Sequence, residues 1–375
     1  MGDALFFYRC RRSLAEPPAP PSPTATLRQP GILAGILVAG LVALAAHALH
    51  QLLPSSVSAV VGEALLAIAL GLLVTNLTPP PIDWSPGLRL TVKTALPIAI
   101  VLLGARMALD QIVGMGAHAL ILIGTLMTLA LTMAHAMGRW LQIPVRIATL
   151  IAVGAAICGN TAIAAIAPVI RAKDDEMAFA IAINTLLGTI AMLSFPLVGH
   201  ALGFSDAWFG TWAGVAVNDT SQVVATGFAY SPTAGEVATV VKLTRNGCMA
   251  FVIVGLGLAY SRFDPERTDG APVSLRQRIA KSFPNFLIGF LLLATANSLG
   301  WIDAASAAID FDLAGAAKKL FKGMVLLALA AVGLSTNFRQ LARTGLAPVW
   351  VGVLTMLSTT IGSLVLLSLM GPVSL

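Results

Sequence analysis

The sequence predicts an all-α integral membrane protein of about ten to eleven transmembrane helices, and three observations carry that prediction. Of its 375 residues, 57% are hydrophobic and only 11% charged, whereas a soluble domain carries about 25% charged residues. The apolar residues gather into runs near the roughly 20 residues an α-helix needs to cross a bilayer. Two of those runs are broken at their centres by polar residues. Ile147 to Ile170 contains Cys158-Gly159-Asn160-Thr161, and Trp212 to Gly227 contains Asn218-Asp219-Thr220-Ser221-Gln222. In hydrocarbon every backbone N–H and C=O needs an internal partner, so a broken helix survives only where protein or a polar cavity supplies one. Discontinuous helices of this kind build the binding sites of many secondary transporters.

The chain begins with Arg9, Arg11 and Arg12 followed by EPPAPPSPTATLRQP. Proline at that density forbids a packed helix, so residues 1–30 are expected to be a flexible cytoplasmic tail and 31–375 a polytopic transmembrane domain. Ala46-His47-Ala48 fits a small-x-small cleavage pattern, but the apolar stretch is too long and begins too late for a secretory signal. Eleven hydrophobic segments follow, at about 31–50, 57–78, 90–109, 115–138, 147–170, 177–201, 208–229, 235–260, 283–302, 316–336 and 344–370. Loops are short, the longest being PPPIDWSPG and the charged 261–282 stretch. Trp84, Trp140, Trp208, Trp301 and Trp350 fall near segment ends, as an interfacial aromatic belt places them.

The net charge of +6 reads as loop bias rather than as a nucleic-acid surface, because the cations sit between apolar runs. With the N-terminus inside, alternate loops on the cytoplasmic side collect Arg9, Arg11, Arg12, Arg28, Arg89, Lys93, Arg139, Arg146, Arg262, Arg267, Arg276, Arg278, Lys281, Arg339 and Arg343. The opposite side collects Arg106, Arg171, Lys173, Lys318, Lys319 and Lys322. Fifteen against six predicts a cytoplasmic N-terminus and an external C-terminus in the cell (inner) membrane. A re-entrant hairpin at either broken span would change that parity.

An internal echo is also present. A shift of 229 positions carries Lys93, Gly104, Gln111, Gly116 and Met127 onto Lys322, Gly333, Gln340, Gly345 and Met356, and Leu70-Gly71 onto Leu299-Gly300. The matched segments are the third and the tenth, an odd number apart, so the expectation is an inverted repeat.

Candidate chemistry concentrates at the two breaks and in the segment after them. Asp219 lies deep in a span, where a carboxylate is costly and usually functional. It reads as the group that loads and releases a proton or sodium ion, with Thr220, Ser221 and Gln222 as hydrogen-bonding partners for a substrate. At the first break, the half-helix beginning at Asn160 or Thr161 presents free N–H groups that favour an anion, and the preceding carbonyls could hold a cation. Lys242 and Arg245, three apart on one helical face, read as a cationic patch that attracts an anion or pairs with Asp219, and Asn246 extends the cluster. Glu63 reads either as a coupling group or as a wet residue near a span end. Asn184 and Thr185 read as helix-packing groups, and Asn297 and Asn337 fall near segment ends. His47, His118, His135 and His200 have no evident partner, so packing is the default. Cys158 beside the first break could report on access. Cys10, Cys158 and Cys248 lie far apart and form no CxxC pair or disulfide framework. No GxSxG, HExxH or GxxxxGK[ST] pattern occurs, so neither an enzyme, a metal site nor a bound cofactor is expected.

The run GAAICGNTAIAAIAPVI followed by RAKDDEMAFAIA resembles the YeiH-like sulfate exporter family of multipass membrane proteins, as do FGTWAG, QVVATGFAY, AGEVATVVKLTRN and AVGLSTNFRQL. The resemblance runs from about residue 30 onward. It departs where many members carry His-Glu followed by Val-Ala-Gln-Val-Val, and this chain has Asn218-Asp219-Thr220-Ser221-Gln222. An acid is kept but shortened, and the imidazole is absent. The resemblance implies paired interrupted helices similar to those of sodium/proton antiporters and bile-acid symporters, and transport of sulfate or a related sulfur oxyanion or sulfonate. The expected function is therefore a secondary active transporter of a small anion by alternating access, coupled to a proton or sodium ion. Cys158 to Thr161, Asn218 to Gln222, Lys242 and Arg245 would form its site. Its partners would be the anion, the coupling ion and the lipid bilayer, not nucleic acid, and a homodimer is compatible with this reading. The rival readings are a cation/proton antiporter, a passive anion channel and a non-transporting membrane sensor.

Overall fold

A computed structural model of the chain describes residues 30–54, 62–77, 83–249, 285–336 and 346–372, together with Val252, Gly255 and Leu256. The proline-rich stretch, Cys10, the charged 261–282 loop and Asn337 lie outside the described residues. Among the described residues every regular element is a helix, as expected for an all-α integral membrane protein. In chain order these are α1 (Pro30–Leu52), α2 (Glu63–Leu77), α3 (Ser85–Gly104), α4 (Leu109–Trp140), α5 (Val145–Ala156), α6 (Asn160–Ile166) and α7 (Asp174–Ala201). Then come α8 (Asp206–Ala216), α9 (Thr220–Tyr230), α10 (Pro232–Gly247), α11 (Asn285–Ser298), α12 (Trp301–Ile309), α13 (Leu313–Ser335) and α14 (Leu346–Met370).

Each of the eleven expected segments coincides with one of these helices or with a pair, but fewer are uninterrupted spans. Among the described residues five stretches are long and apolar enough to cross a membrane alone: Gly31–Leu52, Ser85–Gly104, Ala119–Trp140, Asp174–Ala201 and Val349–Met370. A sixth is the pair formed by Phe286–Ser298 and Trp301–Ile309, bent by 74°. The remainder fall short for physical reasons. Two are split at polar breaks, α2 has 15 described residues, α10 has 16 and carries Lys242 and Arg245, and α13 carries Lys318, Lys319 and Lys322 in its first half. The outer faces confirm the environment. Leu33, Leu37, Leu41 and Leu44 on α1 and Leu357, Ile361, Val365 and Leu369 on α14 are exposed, rows that suit hydrocarbon rather than water. Trp140, Trp301 and Trp350 are exposed at helix ends, where indole rings meet the membrane–water boundary.

Packing divides the helices into two groups. One contains α1, α2, α3, α11, α12 and α13, and the other α4, α5, α6, α7, α8, α9, α10 and α14. They meet chiefly along α9, which lies against α2 and α13, and where α11 touches α4. Lipid tails are as apolar as leucine, so helices in a bilayer associate through close backbone approach and interhelical hydrogen bonds. The first group uses both. A Cβ on Gly104 would sit 2.2 Å from the Phe290 carbonyl of α11, and one on Gly333 would sit 2.4 Å from the Ile68 carbonyl of α2. Asn297 Nδ2 donates to Met107 O at 3.3 Å just beyond α3, while Asn76 Nδ2 donates to Thr336 O at 2.9 Å just beyond α13.

These contacts bear on the sequence echo. Gly104 and Gly333 are related by its 229-position shift, and so are Met107 and Thr336. Corresponding helices therefore use the same glycine approach and the same asparagine latch, each against a helix from the other half of the chain.

Adding a methyl at Gly104 should force α3 and α11 apart, and overpacking of this kind costs about 1–3 kcal/mol. Gly104→Ala is expected to lower the melting temperature of the detergent-purified protein. Gly323→Ala, which meets open space, should leave it unchanged or slightly higher.

Candidate functional site

The polar breaks expected from sequence are real interruptions, and they touch. Helix α5 stops at Ala156, Ile157 turns out of helical geometry at φ −120° and ψ −97°, and Gly159 adopts φ 68° and ψ −126° before α6 begins. That backbone conformation is open essentially to glycine alone. Helix α8 stops at Ala216, Val217 is extended, and α9 starts after Asp219. A Cβ on Gly159 would lie 3.0 Å from Asp219 Cα and 3.1 Å from Asp219 Oδ2, so the two breaks are packed against each other.

Helix ends carry unpaired carbonyls at the C-terminus and unpaired N–H groups at the N-terminus, with partial charges to match. Helix α10 crosses both C-terminal ends and supplies the missing donors. The Lys242 ammonium donates to Ile157 O at 2.8 Å, to Val217 O at 3.2 Å and to Asn218 O. The Arg245 guanidinium donates from Nε to Ala156 O at 2.7 Å, and from Nη1 to Val215 O at 2.8 Å and Val217 O at 3.0 Å. Its Nη2 donates to Ala155 O. Both side chains are essentially fully buried, at 0% and 2% exposure. The pair therefore does not present free cationic heads to a ligand, as the sequence suggested. All three ammonium donors of Lys242 end on carbonyls, and neither residue forms a salt bridge with Asp219 among the described residues. Helical spacing put both on one face but could not show that this face meets two broken backbones.

The opposite charge holds the N-terminal end of α9. Asp219 is its N-cap, and its Oδ1 accepts from Ser221 N at 2.9 Å and from Ser221 Oγ at 2.6 Å. Around it runs an amide and hydroxyl network. Asn160 Oδ1 accepts from Asn184 Nδ2 at 3.0 Å, and Asn160 Nδ2 donates to Thr185 Oγ1 at 3.2 Å. Gln222 Nε2 donates to Thr185 O at 3.1 Å and Thr189 Oγ1 at 3.2 Å, while Asn246 Nδ2 donates to Thr220 Oγ1 at 3.2 Å. Asn184, Thr185 and Thr189 of α7 thus belong to the network, where Asn184 and Thr185 had been assigned to packing. The overlooked signal is their arrangement with Gly188 in NTLLGT, a polar stripe at helical spacing with a gap in it. A Cβ at Gly188 would lie 1.9 Å from Gln222 Oε1, so glycine there admits the amide.

Two further expected residues occupy the margin. Cys158 is buried, and its thiol lies 3.5 Å from Met249 Sδ. Thr161 is exposed and Asn160 half-buried, which leaves one flank of the crossing open. Four buried amide oxygens near the crossing have no hydrogen-bond partner among the described residues: Asn184 Oδ1, Asn218 Oδ1, Gln222 Oε1 and Asn246 Oδ1. An unmet buried acceptor costs about 1–3 kcal/mol, and what such oxygens can hold is a cation or a donor group on a substrate. Among the described residues no group of three or more His, Cys, Asp or Glu side chains is placed to hold a metal ion.

A protein-family profile described as conserved hypothetical protein 698 matches residues 30–352. The chain is 37% identical over 336 residues to a UPF0324 membrane protein of Streptococcus pyogenes serotype M6, covering 88% of this chain and 95% of the relative. A UPF0324 membrane protein of Clostridium tetani is 31% identical over 343 residues, covering 89% and 96%, and one of Streptococcus mutans is 33% identical over 344 residues, covering 90% and 97%. No solved structure matches the chain.

Removing the ammonium at the crossing should leave two buried carbonyls, Ile157 O and Asn218 O, without their donor, while Val217 O keeps its bond from Arg245 Nη1. Lys242→Met is expected to lose several kcal/mol of stability at about 1–3 kcal/mol per orphaned group, read as a large fall in melting temperature or in yield of monodisperse protein. Gly159→Ala, forced into left-handed backbone, should lose about 1–3 kcal/mol in the same assay.

Proposed function

We propose that this chain, which belongs to the conserved hypothetical protein 698 family of UPF0324 membrane proteins, is a secondary active transporter that moves a small anion by alternating access. The observation that carries the reading is the pair of contacting helix breaks whose C-terminal ends are clamped by Lys242 and Arg245. Irregular backbone at membrane depth is tolerated where it is buried in protein or lines a cavity, and transporters use such breaks as binding sites. A second observation is the division into two helix groups, with the breaks confined to one of them. A body that carries the site and slides or rocks against a partner is what alternating access requires.

In this reading Asp219 is the coupling group. It sits where the breaks meet, half-buried beside Gly159, and a proton or sodium ion exchanging on its carboxylate would change the charge felt by any ion beside it. Lys242 and Arg245 are counter-charges that hold the crossing together rather than ligands. Gln222, Asn218, Asn184 and Asn246 supply amide oxygens, and Asn160, Thr161, Thr220 and Ser221 line the open flank. Sulfate or a related sulfur oxyanion or sulfonate is the transported anion that family resemblance favours.

One observation favours a second reading, a cation/proton antiporter. Four unpartnered oxygens and one carboxylate gather at a crossing whose two cations are already engaged, and hard cations prefer oxygen ligands.

Reconstitution separates the two. In proteoliposomes the wild type is expected to accumulate a sulfur oxyanion when a proton or sodium gradient is imposed, and Asp219→Asn should abolish the gradient dependence. Unchanged coupled flux in Asp219→Asn would remove the coupling role. Sodium or proton exchange that proceeds at full rate without any anion would replace the anion reading with the antiporter.

A further inference from the structure

The crossing has no free cation, yet three cations converge elsewhere, between the two helix groups. A cavity of about 590 Å³ is lined by Arg106, by Glu63 of α2, by Phe228 at the end of α9, and by Lys318, Phe321 and Lys322 of α13. Arg106, Lys318 and Lys322 are half of the six cations that the charge pattern assigns to one side of the membrane. Scattered loop charges would not gather in this way.

The charge balance is uneven. Lys322 Nζ lies 2.9 Å from Glu63 Oε1, and the His47 and His50 rings flank the same carboxylate at 3.4 and 3.6 Å. Arg106 Nη1 lies 2.7 Å from Glu236 Oε1 of α10, and its guanidinium stands 5.3 Å over the Phe321 ring. Lys318 forms no salt bridge among the described residues, is exposed, and lies one helical turn from Lys322 on the same face. The cavity therefore keeps one cation without a direct ion-pair contact, felt by Glu236 only at longer range, beside two that are paired.

The remainder of the lining is apolar. Phe228 and Phe321 meet edge to face with centroids 5.7 Å apart, and Val325 and Leu326 continue the wall. A bare tetrahedral oxyanion would not fill 590 Å³ and would gain nothing from two phenyl rings. Cavities of this size and mixed lining suit small organic ligands held by a few polar groups. The cavity also leads to the crossing along one helix. The eleven residues of α9 run from Thr220 at the break to Tyr230 at the cavity, roughly 15 Å at helical rise.

We infer that this cavity is an entry site for amphiphilic organic anions, sulfonates or carboxylates bearing a short apolar group, with Lys318 as the recruiting cation and Phe228 and Phe321 as the apolar wall. The inference rests on the transporter reading for what happens next, since the captured anion would pass along α9 to the crossing. It also narrows that reading, because it selects organic anions over inorganic sulfate.

Calorimetric titration of the purified full-length protein with sodium butanesulfonate, sodium sulfate and the uncharged butyl methyl sulfone tests it. Butanesulfonate is expected to bind at least about tenfold more tightly than sulfate, and the sulfone not at all. Lys318→Gln should weaken butanesulfonate about fivefold with little change in melting temperature, because no direct ion-pair contact is broken and only a longer-range attraction to Glu236 is lost, and Lys318→Arg should restore it. Equal binding of sulfate would overturn the ligand class, and an unaffected Lys318→Gln would overturn the site. Stabilisation by nanodiscs of anionic rather than zwitterionic lipid that depends on Lys318, without butanesulfonate binding, would make this a lipid headgroup site and overturn the entry role. Asp219→Asn separates the two claims. It should retain butanesulfonate binding while losing coupled flux. Lys318-dependent binding without any flux in the wild type would sink the transporter reading alone, and flux indifferent to Lys318→Gln would sink the entry site alone.

Discussion

A backbone broken inside hydrocarbon must find partners for its freed carbonyls, and here that requirement is met from one helix. Lys242 and Arg245, one turn apart on α10, donate to six carbonyl groups at the ends of α5 and α8. A buried cation without counter-charge is among the most unfavourable things a protein can contain, and a helix C-terminus in lipid without donors is costly as well. Each problem answers the other. The rest of the crossing follows from this exchange: with both C-terminal ends neutralised, the breaks can press together at Gly159 and Asp219, and the N-terminus of α9 is left to the carboxylate.

This arrangement also accounts for the division of labour. Cations that close a backbone cannot be released to meet an anion without reopening it, so attraction for a ligand has to come from charges held elsewhere. In the proposed entry site Lys318 is such a charge, placed beside the paired Arg106 and Lys322 at the seam between helix groups rather than within one of them. Arg106 itself spans the seam, resting on Phe321 of one group and pairing with Glu236 of the other.

Much of this was legible in the sequence, and the exceptions have physical causes. Apolar length located the eleven segments, and polar residues within apolar runs located both breaks, because hydrocarbon permits such residues only at special places. Lys242 and Arg245 were found for the same reason. Their partners were not, since backbone carbonyls carry no sequence signature. Asn184 and Thr185 looked like packing groups because a polar stripe on a buried helix has the same pattern whether it faces a neighbour or a site. Helix α12 went unnoticed because nine residues that include Asp303 are too short and too polar to register as a span, so the apolar segment was ended at residue 302, and α12 is set off from α11 by a 74° bend. The cavity could not be read at all, for its walls come from residues as far apart as Glu63 and Lys322.

The crossed asparagine latches have a consequence for how the chain is made. Asn297 closes the end of α3 at Met107, 190 positions earlier, and Asn76 closes the end of α13 at Thr336, 260 positions later. Each half of the molecule holds the key to the other. A ribosome delivering the chain from its N-terminus finishes α3 long before the residue that secures it exists, so the early helices must wait in the membrane, provisionally arranged, until the late ones arrive. Closure of the two halves on each other is a late event, when both latches become available almost together.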